Sequence, residues 1–454
     1  MWRHRVHRVR TETKKNNKIE RLEIYPRFLL CALACCYNQP LIFVFFSLCV
    51  LRALCVSVVG VRKSLVIIST LQFPAARRNY LKYSFEAKSD MTIAIILGTR
   101  PEIIKMAPII RECERRKLDY FVLHTGQHYS HQMDSIFFEQ LELPAPKYNL
   151  DVGSASHAEQ TGRIMTGVEK VLMDERPDVV LVQGDTNTVL AGALAASKLH
   201  IKVGHVEAGL RSYDRTMPEE INRIVADHIS DYLFAPTENS RENLRKEGIS
   251  DQKIHVTGNT IVDSVYQNLE IAKRKVNVLA DLGLKPKEYF LVTAHRQENV
   301  DSRERLGEII KGLELVCREF ELPMVFPMHP RTRKMREEFG FDLDGIKVIE
   351  PLGFLEFLQL EANARLALTD SGGVQEETCI LGVPCVTLRE NTERPETVDV
   401  GANVRAGIQA ANVLESTRIM YSRENIWKNP FGDGRAGKRI VELFSKDASM
   451  SLSL

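Results

Sequence analysis

Leu366-Ala367-Leu368-Thr369-Asp370-Ser371-Gly372-Gly373-Val374-Gln375-Glu376-Glu377 is the stretch on which the fold turns. An apolar run stops at an aspartate, turns through Ser-Gly-Gly and opens into a helical pattern, as in the strand-turn-helix unit of a parallel sheet. Ser371, Gly372 and Gly373 bring backbone N–H groups to a helix N-terminus. There the helix dipole favours an anion, and the missing side chains let a ligand approach. A tight turn would account for Ser-Gly-Gly taken alone. Glu377 falls in the first helical turns, and further on Asn391-Thr392-Glu393-Arg394-Pro395-Glu396 sets Arg394 and two acids in a Pro-broken loop after the strand-like run 384–388. Together the two segments point to a clamp for a nucleotide diphosphate.

Outward from this unit the same alternation recurs. Short apolar runs at 93–97, 121–124, 179–182, 203–206, 232–235 and 253–256 are separated by helical patterns, and a second series follows at 289–293, 324–327, 346–349, 366–369 and 384–388. Residues 268–287 are charged and carry no strand pattern. The expectation is α/β, with two Rossmann-like, doubly wound domains facing a cleft: residues 91–265, then 266–425. A final helix near 435–444, within a segment 426–446, is expected to pack back on the first domain.

At 454 residues, with 44% apolar and 26% charged side chains, the chain has the composition of a globular protein. Of its 61 Lys and Arg and 59 Asp and Glu, residues 1–90 hold 16 and 5, so this stretch is basic; the remainder, with 45 and 54, is acidic. An acidic body argues against general nucleic-acid binding. Residues 28–61 contain one charge, Arg52, and five of the nine cysteines. That length could span a membrane, but Pro40, Arg52 and the Asn38-Gln39 pair interrupt it. Residues 1–90 are expected to lie outside the working enzyme, with Met91 as its functional start. Nothing in the body calls for a membrane. Cys113, Cys317, Cys379 and Cys385 lack paired metal-ligand spacing, which fits free thiols in a reducing cytoplasm.

In doubly wound sheets, ligands bind beyond the carboxyl ends of the strands, so polar residues there are candidates. The first strand runs into Gly98-Thr99-Arg100-Pro101-Glu102, with Lys105 a helical turn further, so a guanidinium and an ammonium could face one anion. No G-x-G-x-x-G follows any strand, and a nicotinamide mechanism lacks its fingerprint. Three acids and a histidine stand at strand ends or helix starts: Asp185 in Gln183-Gly184-Asp185-Thr186, Glu207 in His205-Val206-Glu207, Glu219 after Pro218, and His295 in Ala294-His295-Arg296. Helix capping and dipole compensation would explain Asp185 and Glu219 individually. Carboxylates in a closed cleft can instead be tuned for proton transfer.

From Met91 to about Leu443 the chain strongly resembles the non-hydrolysing UDP-N-acetylglucosamine 2-epimerases, most of all their archaeal members. The likeness is carried by 98–105, 184–186, 205–211, 218–223, His295, 370–377 and 392–396. It implies a glycosyltransferase-B type architecture and a homodimeric, cytoplasmic enzyme that interconverts UDP-GlcNAc and UDP-ManNAc, with no metal or nicotinamide cofactor. By the same resemblance Arg100, Lys105, His295, Phe357, Ser371, Gly372, Gly373, Glu377 and Arg394 hold the UDP portion, His295 being counted with the catalytic group as well. Asp185, Glu207 and Glu219 carry the proton transfers, supported by Arg223. Elimination of UDP to a 2-acetamidoglucal needs a base at carbon two, and return of the proton to the opposite face needs a second acid. Gln127, His128, Arg296 and His329 match parts of a second nucleotide-sugar site of bacterial relatives, while Ser130, Ser154 and Gln297 depart from it and count against substrate activation. Rival readings are a hydrolysing 2-epimerase, a glycosyltransferase of the same architecture, and a non-enzymatic UDP-sugar sensor in which the three acids would be dispensable.

Overall fold

The structure, a computed structural model, describes residues 56–61, 64–69, 91–127 and 131–450, with only the backbone given for 56–61, 64–69, 131–134 and 445–450. Of the apolar stretch 28–61, Val56–Val61 is described; it is a strand paired antiparallel with Ser64–Ser69. The remainder of that stretch, with its five cysteines, lies outside the described residues. Among these residues no helix is long and apolar enough to cross a membrane.

The body, from Asp90, is a compact unit built on two parallel sheets. The first contains β1 (Ile93–Leu97), β2 (Tyr120–His124), β3 (Tyr148–Asn149), β4 (Val179–Gln183), β5 (Lys202–Val206), β6 (Tyr232–Ala235) and β7 (Ile254–Val256), in the order β3-β2-β1-β4-β5-β6-β7. The second contains β8 (Phe290–Thr293), β9 (Met324–Pro327), β10 (Ile346–Ile349), β11 (Leu366–Thr369), β12 (Cys385–Thr387) and β13 (Asn403–Arg405), ordered β10-β9-β8-β11-β12-β13. Two doubly wound sheets are thus present, as expected. The strand patterns at 93–97, 232–235, 324–327, 346–349 and 366–369 coincide with strands residue for residue. β3 and β13 had no sequence counterpart, since both are short and carry polar residues and so do not read as apolar runs.

Each strand order reverses direction once, and those two points locate the crevices. In the first sheet the reversal lies between β1 and β4, whose ends carry Gly98–Arg100 and Gly184–Asp185; in the second it lies between β8 and β11, whose ends carry His295 and Asp370–Ser371.

The strands are apolar along their length because helices cover both faces. In β1, Ile93, Ile95 and Leu97 pack on Ile103, Met106 and Ile110 of α1 (Arg100–Arg116), whereas Ala94 and Ile96 meet Ile164 and Val168 of α3 (His157–Glu175) on the other face; α2 is His131–Gln140. This is the period-two geometry of a strand. At roughly 1.5–3 kcal/mol per buried branched side chain, the two layers drive the first half together. The second sheet repeats the arrangement, with Phe290 and Val292 against one layer and Leu291 and Tyr289 against the other.

Between β4 and β9 the chain forms α4 (Asn187–Lys198), α5 (Pro218–Ile229), α6 (Glu238–Lys246), α7 (Thr260–Lys275), α8 (Val278–Leu282), α9 (Gln297–Val300) and α10 (Arg303–Phe320). Later in the chain come α11 (Pro330–Phe339), α12 (Phe354–Asn363), α13 (Gly372–Leu381), α14 (Pro395–Asp399), α15 (Ala410–Tyr421) and α16 (Ala436–Met450). α7 runs through residues 265 and 266, between the two series of strands. At the end of the chain α16 lies on the first half: Ile440, Val441 and Phe444 join the β1 core, and Phe444 stands edge-on to Phe234 at 5.9 Å. Its first turn is pinned where Ala436 and Gly437 N–H groups each donate to the Asp263 carboxylate at 3.0 Å.

Candidate active site

The β1–α1 turn is shaped by a capping box. Thr99 is the N-cap, Pro101 stands in the first turn of the helix, and the buried Glu102 carboxylate accepts from the Gly98 and Thr99 N–H groups at 2.6 and 2.7 Å and from the Thr186 hydroxyl at 2.5 Å. One side chain therefore ties the ends of β1 and β4 together. From this helix Lys105 reaches the Glu207 carboxylate, 2.6 and 2.7 Å from its two oxygens. Arg100 points elsewhere, with its guanidinium carbon 5.7 Å from the Phe137 ring centroid. It borders a cavity of about 520 Å³ whose lining includes Ile104, Phe137, Gln140, Phe354 and Phe357. Lys105 and Arg100 are thus directed at different groups, a carboxylate and an aromatic cavity.

Glu207 sits at the end of β5 with φ of 71°, in the left-handed region. For a residue with a Cβ this costs on the order of 1–3 kcal/mol, and such strain gathers at functional sites. The 207 and 208 N–H groups both donate to the Phe234 carbonyl at 3.1 Å, which holds the turn. Gly209 follows with φ of 81°; a Cβ there would lie 2.3 Å from the Ser240 carbonyl oxygen, so this close approach requires glycine. The Glu207 carboxylate also accepts from Asn259 at 3.3 Å and from Gln183. Burial would raise its pKa, but the charges of Lys105 and Arg394 with these hydrogen bonds hold it below the usual carboxylate range.

Asn259 extends the arrangement into the second sheet. Its side-chain N–H donates also to Glu376 at 2.9 Å, and Glu376 accepts from Arg394 Nε at 3.2 Å. Lys105, Glu207, Asn259, Glu376 and Arg394 form one polar chain spanning the two halves. Sequence reading singled out Glu377 and missed Glu376 and Asn259. Consecutive helical residues point about 100° apart, so Glu376 joins the chain while Glu377 turns toward Glu361. Burial and mutual repulsion raise the Glu361 pKa well above 4.5, and burial raises that of Glu377 to about 7. The pair holds a proton at neutral pH.

That proton has a measurable consequence. An acid whose folded pKa is raised stabilises the native state least when ionised, so stability is lost as pH climbs from about 4.5 through the folded value. Glu361→Gln has no such proton to lose. Its melting-temperature advantage over the parent should widen from pH 5 to pH 8 in thermal melts, and a constant difference would refute proton sharing.

Asp185 leads out of β4. Its side chain accepts from Arg223, and its carbonyl accepts from Asn222 Nδ2 at 2.9 Å. Arg223 is shared with Glu220 at 2.8 Å; the buried Glu220 carboxylate also accepts from Ser212 and Tyr213 N–H groups at 3.0 Å. Glu219, in the first turn of α5, is only partly covered. A Cβ on Gly184 would lie 4.0 Å from Glu207 Oε2, which puts the Asp185 turn beside Glu207. The acids thus gather around the ends of β4 and β5 and the start of α5.

Across from them, Ser371 caps α13. The fully buried Asp370 carboxylate accepts from the N–H of His295 at 3.0 Å and of Arg296 at 2.9 Å, and from Asn299 at 3.2 Å, tying the ends of β8 and β11 together. His295 is left 41% exposed, with Nδ1 3.4 Å from Asp370. The Arg394 N–H donates to Thr392, whose hydroxyl donates to Gln375 of α13 at 2.5 Å, and the Arg394 loop is thereby fastened to the Ser371–Gly373 turn. Gln127 lies near the first crevice, its N–H donating to the Gly98 carbonyl at 3.1 Å and its side-chain oxygen accepting from Thr188 at 2.9 Å. His128 and Ser130 are outside the described residues.

This geometry links Lys105, Glu207, Asn259, Glu376 and Arg394 across the ends of the two sheets, with the Asp185 turn beside Glu207. The family model described as UDP-N-acetylglucosamine 2-epimerase matches residues 111–445. Similar to this chain are the UDP-N-acetylglucosamine 2-epimerase of Methanocaldococcus jannaschii, 58% identical over 362 residues, covering 78% of this chain and 99% of that protein, and the UDP-2,3-diacetamido-2,3-dideoxy-D-glucuronate 2-epimerase of Pseudomonas aeruginosa, 43% identical over 360 residues, covering 78% and 100%. The crystal structure of the M. jannaschii UDP-GlcNAc 2-epimerase in complex with UDP-GlcNAc and UDP aligns with a TM-score of 0.70 at 57% identity, covering 78% of this chain and 100% of that one. The Neisseria meningitidis UDP-GlcNAc 2-epimerase bound to UDP-GlcNAc aligns with a TM-score of 0.71 at 36% identity, over the same shares. The chain belongs to the UDP-N-acetylglucosamine 2-epimerase family.

Proposed function

We propose that this protein reversibly converts UDP-N-acetylglucosamine to UDP-N-acetylmannosamine, by elimination and re-addition of UDP. The observation that carries the reading is the polar chain Lys105, Glu207, Asn259, Glu376, Arg394, with the Asp185 turn beside Glu207. The greater likeness to the M. jannaschii enzyme, 58% against 43%, favours the N-acetylglucosamine substrate over the diacetamido-glucuronate one.

In this mechanism a carboxylate removes the proton on carbon two as the bond from carbon one to the phosphate oxygen breaks. UDP leaves as an anion, and a carbon–carbon double bond forms between carbons one and two. The negative charge developing on the leaving diphosphate would meet the Ser371–Gly373 N–H groups, His295, Lys105 and Arg394. A diphosphate there competes for Lys105 and Arg394, the two cations that keep Glu207 a weak base. Loss of their field makes Glu207 more basic as the substrate seats. A second acid, Asp185 or Glu219, delivers the proton to the other face, with Arg223 orienting Asp185. Phe357, Arg100 and the cavity they border would supply an apolar site for the uracil, and Glu377 would complete the contacts to UDP.

The first half, 91–265, would supply the acids, the second, 266–425, the nucleotide site, and 426–446 the returning helix. A homodimer acting in the cytoplasm completes the reading. Its test is NMR of the purified protein with UDP-GlcNAc in deuterium oxide. UDP-ManNAc carrying deuterium at carbon two is expected. Free ManNAc with UDP would point to the hydrolysing reaction, and tight UDP binding without exchange to a sensor or transferase.

A further inference from the structure

His205 is fully buried on β5, two residues before Glu207. Its Nδ1 lies 2.6 Å from Asp227 Oδ1, and its Nε2 lies 2.7 Å from the Gly184 carbonyl oxygen. A carbonyl has no hydrogen to give. Asp227 is held as a carboxylate, because its Oδ2 accepts from the Arg211 guanidinium at 2.7 Å and from the Gly209 N–H at 3.1 Å. A neutral imidazole carries one N–H and would set its other nitrogen's lone pair against an oxygen lone pair. Only the doubly protonated ring satisfies both neighbours. The charges also balance along a line of side chains: His205 positive, Asp227 negative, Arg211 positive, then Glu247, which takes both Arg211 Nε and Nη2 at 2.7 Å.

We propose that His205 is a positioning residue of the epimerisation, locked as an imidazolium that fixes the Gly184 carbonyl and thereby the direction of Asp185. The peptide entering Asp185 is held on one side by His205, and its own carbonyl is held by Asn222. Gly184 itself is left-handed, with φ of 85°, and its N–H donates to Val206 at 3.1 Å, so the turn has one available arrangement. The groups facing His205 are Asp227 from α5, with Arg211 on the far oxygen of Asp227, and Glu207 just past the end of its own strand, which Lys105 of α1 neutralises. Burial opposes the charged ring, and Asp227, the Gly184 carbonyl and Glu207 outweigh it and raise the pKa.

The role in positioning rests on the proposed epimerisation; the protonation state does not, and the test separates them. In the full chain labelled with ¹⁵N-histidine, both ring nitrogens of His205 should carry protons at pH 8.5, with the signal identified by its loss in His205→Gln. A neutral tautomer would overturn the proposal whether or not the protein turns over UDP-GlcNAc. For the positioning role, His205→Phe should lower kcat for carbon-two exchange about 100-fold, the scale of a small misplacement of a reacting group. UDP affinity and KM should stay within about threefold, and His205→Gln, which keeps a donor for the Gly184 carbonyl, should recover most of the rate. Exchange by the Phe variant close to the parent rate, or equal loss in both variants together with UDP binding, would overturn positioning. Absence of exchange in the parent protein would remove the reaction His205 is said to serve, and with it the positioning role.

Discussion

Glu207→Gln is expected to lower carbon-two proton exchange about 10²–10⁴-fold, a barrier increase of roughly 3–5.5 kcal/mol, because the amide cannot accept the substrate proton. UDP affinity should hold or improve. In the parent protein Lys105 is committed to Glu207 through two short contacts, and removal of the carboxylate charge frees the ammonium for the diphosphate. The backbone at 207 stays in its left-handed conformation with glutamine, so the turn at the end of β5 is not relaxed by the change. Deuterium incorporation and UDP titration calorimetry on the same preparation separate the two effects. Near-parental exchange would remove Glu207 from proton transfer, and a large loss of UDP affinity would show that its partnership with Lys105 builds the nucleotide site.

Arg394→Ala should act on binding and on stability through different partners. Loss of a charge-assisted contact to the diphosphate should weaken UDP by about 1.5–3 kcal/mol. In the protein itself, Arg394 neutralises Glu376, which is 2% exposed and otherwise held by Asn259. A carboxylate stranded there costs about 3–5 kcal/mol of folding free energy. The double variant Arg394→Ala with Glu376→Gln should regain most of that stability in denaturant melts while binding UDP no better than the single variant. Recovery of both together would mean that Arg394 acts on the nucleotide only through the fold. Undiminished UDP affinity in the single variant would refute the clamp.

Much of the architecture could be read in advance because parallel strands buried on both faces are written as continuous apolar runs. Ile93–Leu97 and Leu366–Thr369 are examples, each followed by polar residues where the strand emerges. β3 and β13 escaped notice because Tyr148–Asn149 and Asn403–Arg405 are brief and polar. They are edge strands that the sheets recruit by backbone pairing. The acids were found at strand ends for the same reason the strands were found. The pairing of Lys105 with Glu207 and of Asn259 with Glu376 was not, since those residues are 102 and 117 apart in the chain.

The sequence by itself determined the two doubly wound halves, the Ser371–Gly373 turn and the set of candidate acids, because burial periodicity and turn chemistry are local properties of a chain. Only the tertiary structure decided which charge answers which. It gave Lys105 to Glu207 instead of to Arg100's side of the helix, and Glu376 instead of Glu377 to Arg394. It also placed His205 between a carboxylate and a carbonyl. Ion pairing and proton affinity depend on distance and on exclusion of water, and both are established only when remote segments pack.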